Sequence, residues 1–451
     1  MKRGQAISVQ PTLTKEPRSF SCGPYLLCLA VLFSGTFLLG QTTQKEANKV
    51  KKTSQQNLLD GDWNGMRAEM RRHGIELVSR YVAESATVYA GGTGQGSDFS
   101  DDIAFGFDAN LQRLVGWKGA TFHFNFSRRH GGSASANFLG NNILTVQENN
   151  GAGETNRLTE LSIDQSLFDK HVNVKAGYFI MGNDFARTSV LCDFENLGFC
   201  AHAESLPNDA AWADWPTGQL GARLRYNFWP KVYAEVAAFA ANANNKKFAN
   251  GFNLGFEGAT GVIFPVEFSW TKLSGVKALP GHYKLGGYYD SSEAKDQDLS
   301  GRKVAGRYGG WLLGDQRVWS FEPGTPRGLT VFAQGTLSDK MTSPMSSYLL
   351  GAMIVQGPMK RRAEDYINFG CVHAGVNPRA LRAESMQALA SKAIDTTFAN
   401  AEIDCEAGYG WQITHSILIH PNFQYVRNPS AFSFGHVANG WVFGTMTKIV
   451  F

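Results

Sequence analysis

Gly440-Trp441-Val442-Phe443-Gly444-Thr445-Met446-Thr447-Lys448-Ile449-Val450-Phe451 closes the chain and decides its fold. Every second residue back from Phe451 gives Ile449, Thr447, Thr445, Phe443 and Trp441, an apolar-leaning face with aromatics at both ends. The interleaved Val450, Lys448, Met446, Gly444, Val442 and Gly440 are small and mixed, and one carries a charge. Strict period two is strand geometry. Aromatics at the two ends of about ten residues match a strand that crosses an outer membrane, with a girdle at each interface. The chain also stops on Phe451 with no polar tail. An edge strand of a soluble β protein shares this alternation, so the rest of the chain must separate the two readings.

The 451 residues include 49 Gly and 12% aromatics, but only 18% charged residues, fewer than a soluble chain carries. Beyond the N-terminus no run of about 18 apolar residues occurs, which excludes a helical membrane protein. The net charge of +4 is partly N-terminal, and no basic tract interleaved with aromatics points to nucleic acid. Residues 1–40 read as an export signal: Lys2, Arg3, Lys15 and Arg18 precede an apolar run from Pro24 to Gly40. Residues 41–57 form a polar linker. Residues 58–74 form a short amphipathic helix, with Asp60 or Asp62 as N-cap and Gly74 as stop. Residues 75–451 then alternate.

About sixteen segments carry period-two alternation. They run near 75–88, 102–114, 119–129, 157–168, 171–181, 218–228, 231–241, 261–272, 282–291, 308–319, 328–339, 346–357, 364–376, 399–413, 415–426 and 440–451. An even number suits a single-chain bacterial barrel with both ends in the periplasm. Long gaps near 89–101, 130–156, 182–217, 242–260, 292–307, 377–398 and 427–439 alternate with short ones such as 115–118, 169–170, 229–230 and 414. Short periplasmic turns and long outer loops produce this asymmetry; a soluble sandwich has no reason to sort its loops by end of strand. The expected fold is all-β: a transmembrane antiparallel β-barrel of about 16 strands behind a short N-terminal helix, in the bacterial outer membrane.

The faces follow from the alternation. Ile103, Phe105, Phe107, Leu111, Phe122, Phe124, Phe126, Leu220, Leu224, Tyr226 and Phe228 face lipid. Inward candidates for a solute path are Arg80, Glu84, Asp108, His123, Asn125, Arg129, Glu160, Asp164, Lys175, Arg223, Arg225 and Glu267. About sixteen strands enclose an aqueous channel rather than a packed core. The gap 182–217, with Asp184, Arg187, Asp193, Glu195, Trp212, Asp214 and Trp215, reads as a loop folded into the barrel or as a stapled surface loop. Export implies an oxidising compartment. Cys192 and Cys200, close together in a turn-rich stretch, are expected to clip this loop, whereas Cys371 and Cys405, on separate strands, are either bridged or free lipid-facing thiols, with the free form favoured. Gly91-Gly92-Thr93-Gly94-Gln95-Gly96 lies between strands and reads as a flexible outer loop, not a phosphate cradle. No histidine spacing suits a metal, and no cofactor is expected. Ser127 and His123 share a face about 13 Å apart along a strand, too far for proton transfer, so no enzyme is expected.

These residues resemble the carbohydrate-selective porin (OprB) family. Leu58-Leu59-Asp60-Gly61-Asp62-Trp63-Asn64-Gly65-Met66-Arg67 with His73-Gly74-Ile75 is similar to its opening motif, although Asn64 stands where the family usually has glycine. Glu160-Leu161-Ser162-Ile163-Asp164-Gln165, Lys175-Ala176-Gly177 and Asp184-Phe185 with Cys192, Phe194, Asn196, Phe199 and Cys200 also resemble it. So does His420-Pro421-Asn422-Phe423-Gln424-Tyr425-Val426-Arg427-Asn428-Pro429, while 358–398 is only loosely alike. The resemblance implies a monomeric or homotrimeric barrel in outer-membrane lipid that passes sugars by facilitated diffusion, without catalysis. The terminal strand ending at Phe451 is the expected contact for barrel-assembly machinery.

Overall fold

The computed structural model describes residues 58–59, 61–150, 153–188, 190–199, 202–274, 279–393 and 397–451. The expected export signal and linker lie outside them, as does Asp60. Sixteen strands follow one another: β1 (Ile75–Gly92), β2 (Gly96–Asn110), β3 (Ala120–Gly131), β4 (Thr155–Leu167), β5 (Val172–Phe179), β6 (Gln219–Trp229), β7 (Val232–Ala241) and β8 (Gly261–Ser274). The second half holds β9 (Leu279–Lys295), β10 (Lys303–Ser320), β11 (Gly328–Ser338), β12 (Met345–Gln356), β13 (Tyr366–Val376), β14 (Ala401–Thr414), β15 (Ile417–Arg427) and β16 (Ala438–Val450). Each pairs with its sequence neighbours, and β1 closes on β16 in antiparallel register, with Arg80 opposite Val450 and Glu84 opposite Met446. Closure leaves no edge strand, so the ladder groups are satisfied inside the wall, as hydrocarbon requires.

Alternation sorts the two faces. On β16, Trp441 and Phe443 are exposed while Val442 and Met446 are fully buried. Outward aromatics pair across strands: Tyr425 with Trp441 at 4.6 Å, Phe423 with Phe443 at 5.1 Å, Phe105 with Phe126 at 5.3 Å and Trp270 with Tyr283 at 5.4 Å. The 168–171, 230–231 and 415–416 turns lie at one end, and the 132–154, 180–218, 242–260 and 377–400 loops at the other. The first outer connection is much shorter than expected. Strands β1 and β2 run past the apolar band and turn at 93–95, so the glycine-rich stretch is a hairpin rather than a flexible loop. Gly91 and Gly92 adopt φ of 76° and 65° there, and a Cβ on Gly96 would strike the Phe138 ring at 2.3 Å. Likewise 292–307 narrows to 296–302. Strand ends beyond the lipid are hydrated on both faces, so their alternation fades.

The N-terminal helix is shorter than its pattern: a 3-10 turn Trp63–Gly65 leads into Met66–Arg72. Asp62 accepts the Ala68 amide at 3.1 Å, although Gly65 occupies the cap position. Arg67 stacks on Trp63 and donates to the Phe451 carbonyl at 3.0 Å, tying the helix to the seam strand. A helix that the alternation did not announce, Pro378–Ala390, starts at Asn377, whose side chain accepts the Arg379 amide at 2.8 Å.

The interior departs from an open, hydrated tube. Loop 180–218 folds inside and brings Phe185, Leu191, Phe194, Phe199, Leu206 and Trp212, all buried. They pack on inward side chains of β7 to β13, including Phe239, Ile263, Tyr288, Trp311, Leu313, Phe332, Tyr348, Leu350 and Val372. Loop 132–154 seats Leu139 and Val146 against Ala86, Val88, Val426 and Val442. Part of the lumen is therefore a packed apolar core, and the expectation of a wholly polar interior is corrected. The physical cause is that an infolded loop needs an apolar seat.

The cysteine pairing is corrected as well. Cys371 and Cys405 stand directly opposite each other on the outward faces of β13 and β14 and form a disulfide. Their sequence separation of 34 conceals a register that makes them cross-strand neighbours. Cys192 carries a free thiol, and Cys200, its expected partner, lies outside the described residues. Burial pushes the Cys192 thiol up, away from the reactive thiolate.

Candidate functional site

Irregular backbone inside a barrel carries amide groups that need acceptors. Inward carboxylates of the wall supply them. Glu84 accepts the Asn149 amide at 2.8 Å, and Glu402 accepts Leu144 at 2.8 Å and Ile143 at 3.1 Å. Glu406 accepts Asn196 at 2.8 Å and Glu195 at 3.1 Å. Glu267 takes Ala186 at 2.7 Å, and Asp290 takes Ala211 at 2.8 Å. Glu84 and Glu267, both expected to line the path, are thus buried loop anchors. Asn196 also donates to Asp404 at 2.9 Å and Gln424 at 3.0 Å, and Asn422 donates to Glu195 at 2.5 Å. Sequence reasoning left out this cluster, although Glu402-x-Asp404-x-Glu406 and His420-x-Asn422-x-Gln424 repeat polar groups at the strand period.

A band of charged side chains runs along the lumen side of β1 to β6, from exposed Arg80 and Asp108 to buried Lys175 and Arg223. Asp108 and His123, register partners, meet at 2.6 Å. Lys175 on β5 bonds Glu160 on β4 at 2.7 Å and reaches Asp184 of the loop at 3.8 Å. Arg223 on β6 bonds the same Asp184 at 2.6 Å and Asp164 at 3.3 Å, and also holds Asn173. Arg225 pairs with Glu235 of β7 at 2.7 Å and stacks on Tyr233 at 4.4 Å. Lys284 of β9 pairs with Glu267 at 2.9 Å, and Tyr233 and Trp311 donate to that carboxylate at 3.2 and 3.0 Å. Five expected residues, Glu160, Asp164, Lys175, Arg223 and Arg225, therefore form one ladder completed by Asp184. Signs alternate across it, so it presents donors and acceptors without a field of one sign. Asn125 is placed on β3 opposite Glu160, and its Oδ1 has no hydrogen-bond partner among the described residues.

A second group joins wall and loop. Asp102, buried on β2, accepts Ser127 Oγ at 2.6 Å and Trp215 Nε1 at 2.7 Å. Arg129 and Arg80 approach the same carboxylate at 3.6 and 3.5 Å. Arg80 lies 4.5 Å over the Trp215 ring, with its side chain 46% exposed. An exposed guanidinium beside an indole offers hydrogen-bond donors and a flat apolar face. Ser127 and His123 engage different aspartates, Asp102 and Asp108, and do not meet as nucleophile and base.

Inside the loop, His202 and Asp214 form a buried pair at 2.7 Å. Burial alone would lower the imidazole, but Asp214 outweighs it and His202 titrates at about 9. Burial raises Asp214, yet His202 prevails and holds it below its ordinary range. Burial, with Asp214 adding to it, lifts Glu204 to about 8. Burial likewise lifts Asp209, which accepts the Met345 amide at 2.9 Å, to about 8.

Known proteins share this architecture. The model of the carbohydrate-selective porin, OprB family, matches residues 95–451. Porin B of Pseudomonas aeruginosa is 32% identical over 418 residues, covering 87% of this chain and 90% of its own. A putative porin, QuiX, of Acinetobacter baylyi is 27% identical over 411 residues, covering 87% of this chain and 92% of its own. The high-pH structure of Pseudomonas putida OprB superposes with a TM-score of 0.82 at 31% identity, covering 88% of this chain and 98% of that one. With its closed sixteen-strand outer-membrane barrel and infolded loops, this chain belongs to the carbohydrate-selective porin (OprB) family.

Proposed function

We propose that sugars cross this outer-membrane porin by facilitated diffusion along the β1 to β6 side of the lumen, with single rings passing more readily than disaccharides. The carrying observation is the lopsided filling of the barrel. Loop 180–218 packs its apolar side chains on β7 to β13, loop 132–154 seats on β1, β15 and β16, and the accessible charges Arg80, Asp108 and His123 remain on β1 to β3. There Arg80 and Trp215 form a guanidinium and ring platform. The Glu160, Lys175, Asp184, Arg223 and Asp164 ladder offers both donors and acceptors. Such contacts hold hydroxyls weakly, and a conducting site must bind weakly enough to release. Asp108, His123, Asn125, Arg129 and Arg225 extend the lining, while Glu84 and Glu267 support it from beneath the loops. The machinery that would assemble the barrel engages the strand ending at Phe451, and the working unit is a monomer or a homotrimer.

Single-channel recording in a planar bilayer tests this reading. Glucose, a disaccharide and an uncharged non-sugar of similar size are titrated in turn. Millimolar block by glucose, weaker block by the disaccharide and none by the control is the expected result. Equal responses to all three would sink the selectivity.

A further inference from the structure

Loop 242–260 reaches the lipid side of the wall. Strand β5 pairs with β4 only as far as Tyr178 opposite Leu161, so the outer residues of β4 lack a β5 partner along that edge. An open edge in a membrane wall needs a cover. Gly251 supplies it: its carbonyl accepts the Leu158 amide at 3.0 Å, and a Cβ on Gly251 would strike the Asn156 carbonyl at 2.1 Å. From the same strand, buried Arg157 donates to the carbonyls of Asn245 at 2.7 Å and Lys246 at 3.2 Å. The backbone thus seats the loop. Phe252, next to Gly251, stacks on Phe126 of the lipid-facing row of β3, with ring centroids 6.0 Å apart. Phe248, Phe252 and Phe256 are 61%, 63% and 71% exposed. Large apolar surface of this kind gains by leaving water. The Phe126–Phe252 stack makes the patch continuous with the wall that faces lipid, so acyl chains are the cover at hand.

Cations lie beside this patch. Arg128 is the next outward residue after Phe126 on β3, roughly 7 Å nearer the outer end. It is exposed, as is Lys247 beside Phe248, and neither side chain has a hydrogen bond or ion pair among the described residues. The acids on this outward stretch are engaged: Asp101 accepts Tyr81 Oη at 3.1 Å, and Glu154 lies 3.6 Å from His130. Within the loop, Glu257 is the single acid against Lys246 and Lys247. Unpaired cations above an apolar patch at the membrane rim match a molecule with acyl chains and an anionic head. We propose that the outer rim of β3 and β4, together with loop 242–260, binds a membrane lipid that carries an anionic phosphate headgroup. Its acyl chains lie along Phe126 and Phe252, Arg128 contacts the phosphate, and Lys247 adds charge from the loop. The site is on the opposite face of the wall from the solute path and does not depend on the sugar-passing reading.

Native mass spectrometry of the whole barrel, with phosphatidylglycerol or phosphatidylcholine added at equal concentration, tests it. The wild type should retain phosphatidylglycerol about tenfold or more tightly than phosphatidylcholine, the effect of two interfacial charges. Arg128→Gln and Lys247→Gln should each weaken phosphatidylglycerol about fivefold and leave phosphatidylcholine unchanged. Phe252→Ser should weaken both lipids. Single-channel conductance should stay at the wild-type value in all three variants, which marks them as folded. Equal wild-type retention of the two lipids, or either charge variant with the wild-type lipid preference, would overturn the site. A wild type that flies as a lipid-free dimer or trimer, and that Phe252→Ser converts to monomers, would also overturn it, because a second copy would then cover the patch.

Discussion

The guanidinium of Arg80 on β1 lies 4.5 Å over the indole of Trp215 in loop 180–218, and both groups reach the buried carboxylate of Asp102. This stack joins the barrel wall to the loop that fills it, and Arg80 is its water-facing member. Cation–π contacts contribute about 0.5–2 kcal/mol. Arg80→Ala should therefore weaken glucose block by about two- to thirtyfold and shift ion preference toward cations, because Asp102 loses a counter-charge. Reversal potentials in a salt gradient measure the second effect; an unchanged potential would show that Arg80 does not face the ion path.

Wall carboxylates hold the infolded loops. Glu402→Gln and Glu406→Gln each replace a carboxyl that accepts two loop amides with a carboxamide that has only one acceptor oxygen. A typical intramolecular hydrogen bond contributes about 0.5–1.5 kcal/mol. Each variant should give larger and noisier conductance with weaker sugar discrimination. Channels as quiet and as narrow as wild type would rule out the anchoring role.

The pH dependence of loop 180–218 follows from its buried groups. His202 is raised from 6.5 to about 9, so its contribution is full below about pH 6.5 and is lost as pH rises through about 9. Glu204, raised from 4.5, and Asp209, raised from 3.8, hold their protons in the fold; their contributions decline as pH rises toward about 8. Asp214 is depressed and acts oppositely: its contribution is present above its ordinary 3.8 and is lost in stronger acid. The loop should be held best near pH 4, weaken above it as Glu204 and Asp209 pass their ordinary values, and loosen further toward pH 9 as His202 loses its proton. Hydrogen exchange of 180–218 at pH 6 and pH 9 measures this. His202→Gln should flatten the difference, and equal protection at both pH values in the wild type would contradict it.

Mass spectrometry of non-reduced peptides should find Cys371 linked to Cys405 and Cys192 as a thiol. For a sequence separation of 34, the chain-entropy model gives about 4 kcal/mol. Cys371→Ser/Cys405→Ser should lower the heat resistance of the folded barrel on gels while leaving conductance intact, because the bond faces away from the lumen. A Cys192–Cys200 peptide would overturn the pairing.

The strand set was legible because alternation is enforced locally: each lipid-facing residue must be apolar whatever its distant neighbours do. All sixteen expected segments correspond to strands; most misplaced bounds fall at the outer ends, where water replaces lipid, but at the periplasmic end of β2 the expected strand gives way to a helix, Leu111–Val115, which takes Leu111 out of the lipid-facing set. Five members of the charge ladder were also legible, because charged residues at the strand period must face inward. The anchors Glu402, Asp404 and Glu406 were readable by the same rule.

Loop seating, register and partner choice were not legible. Nothing local to Cys371 marks Cys405 as its neighbour; only the register of β13 on β14 does. Nothing local to Glu84 or Glu267 separates a loop anchor from a path residue; only the amides of Asn149 and Ala186 do. The sequence alone determined a sixteen-strand membrane barrel with a polar stripe, because burial in lipid acts residue by residue. The tertiary structure alone decided which inward charges become loop anchors, because that depends on where the long loops seat, and the apolar seat of loop 180–218 on β7 to β13 exists only once the barrel has closed.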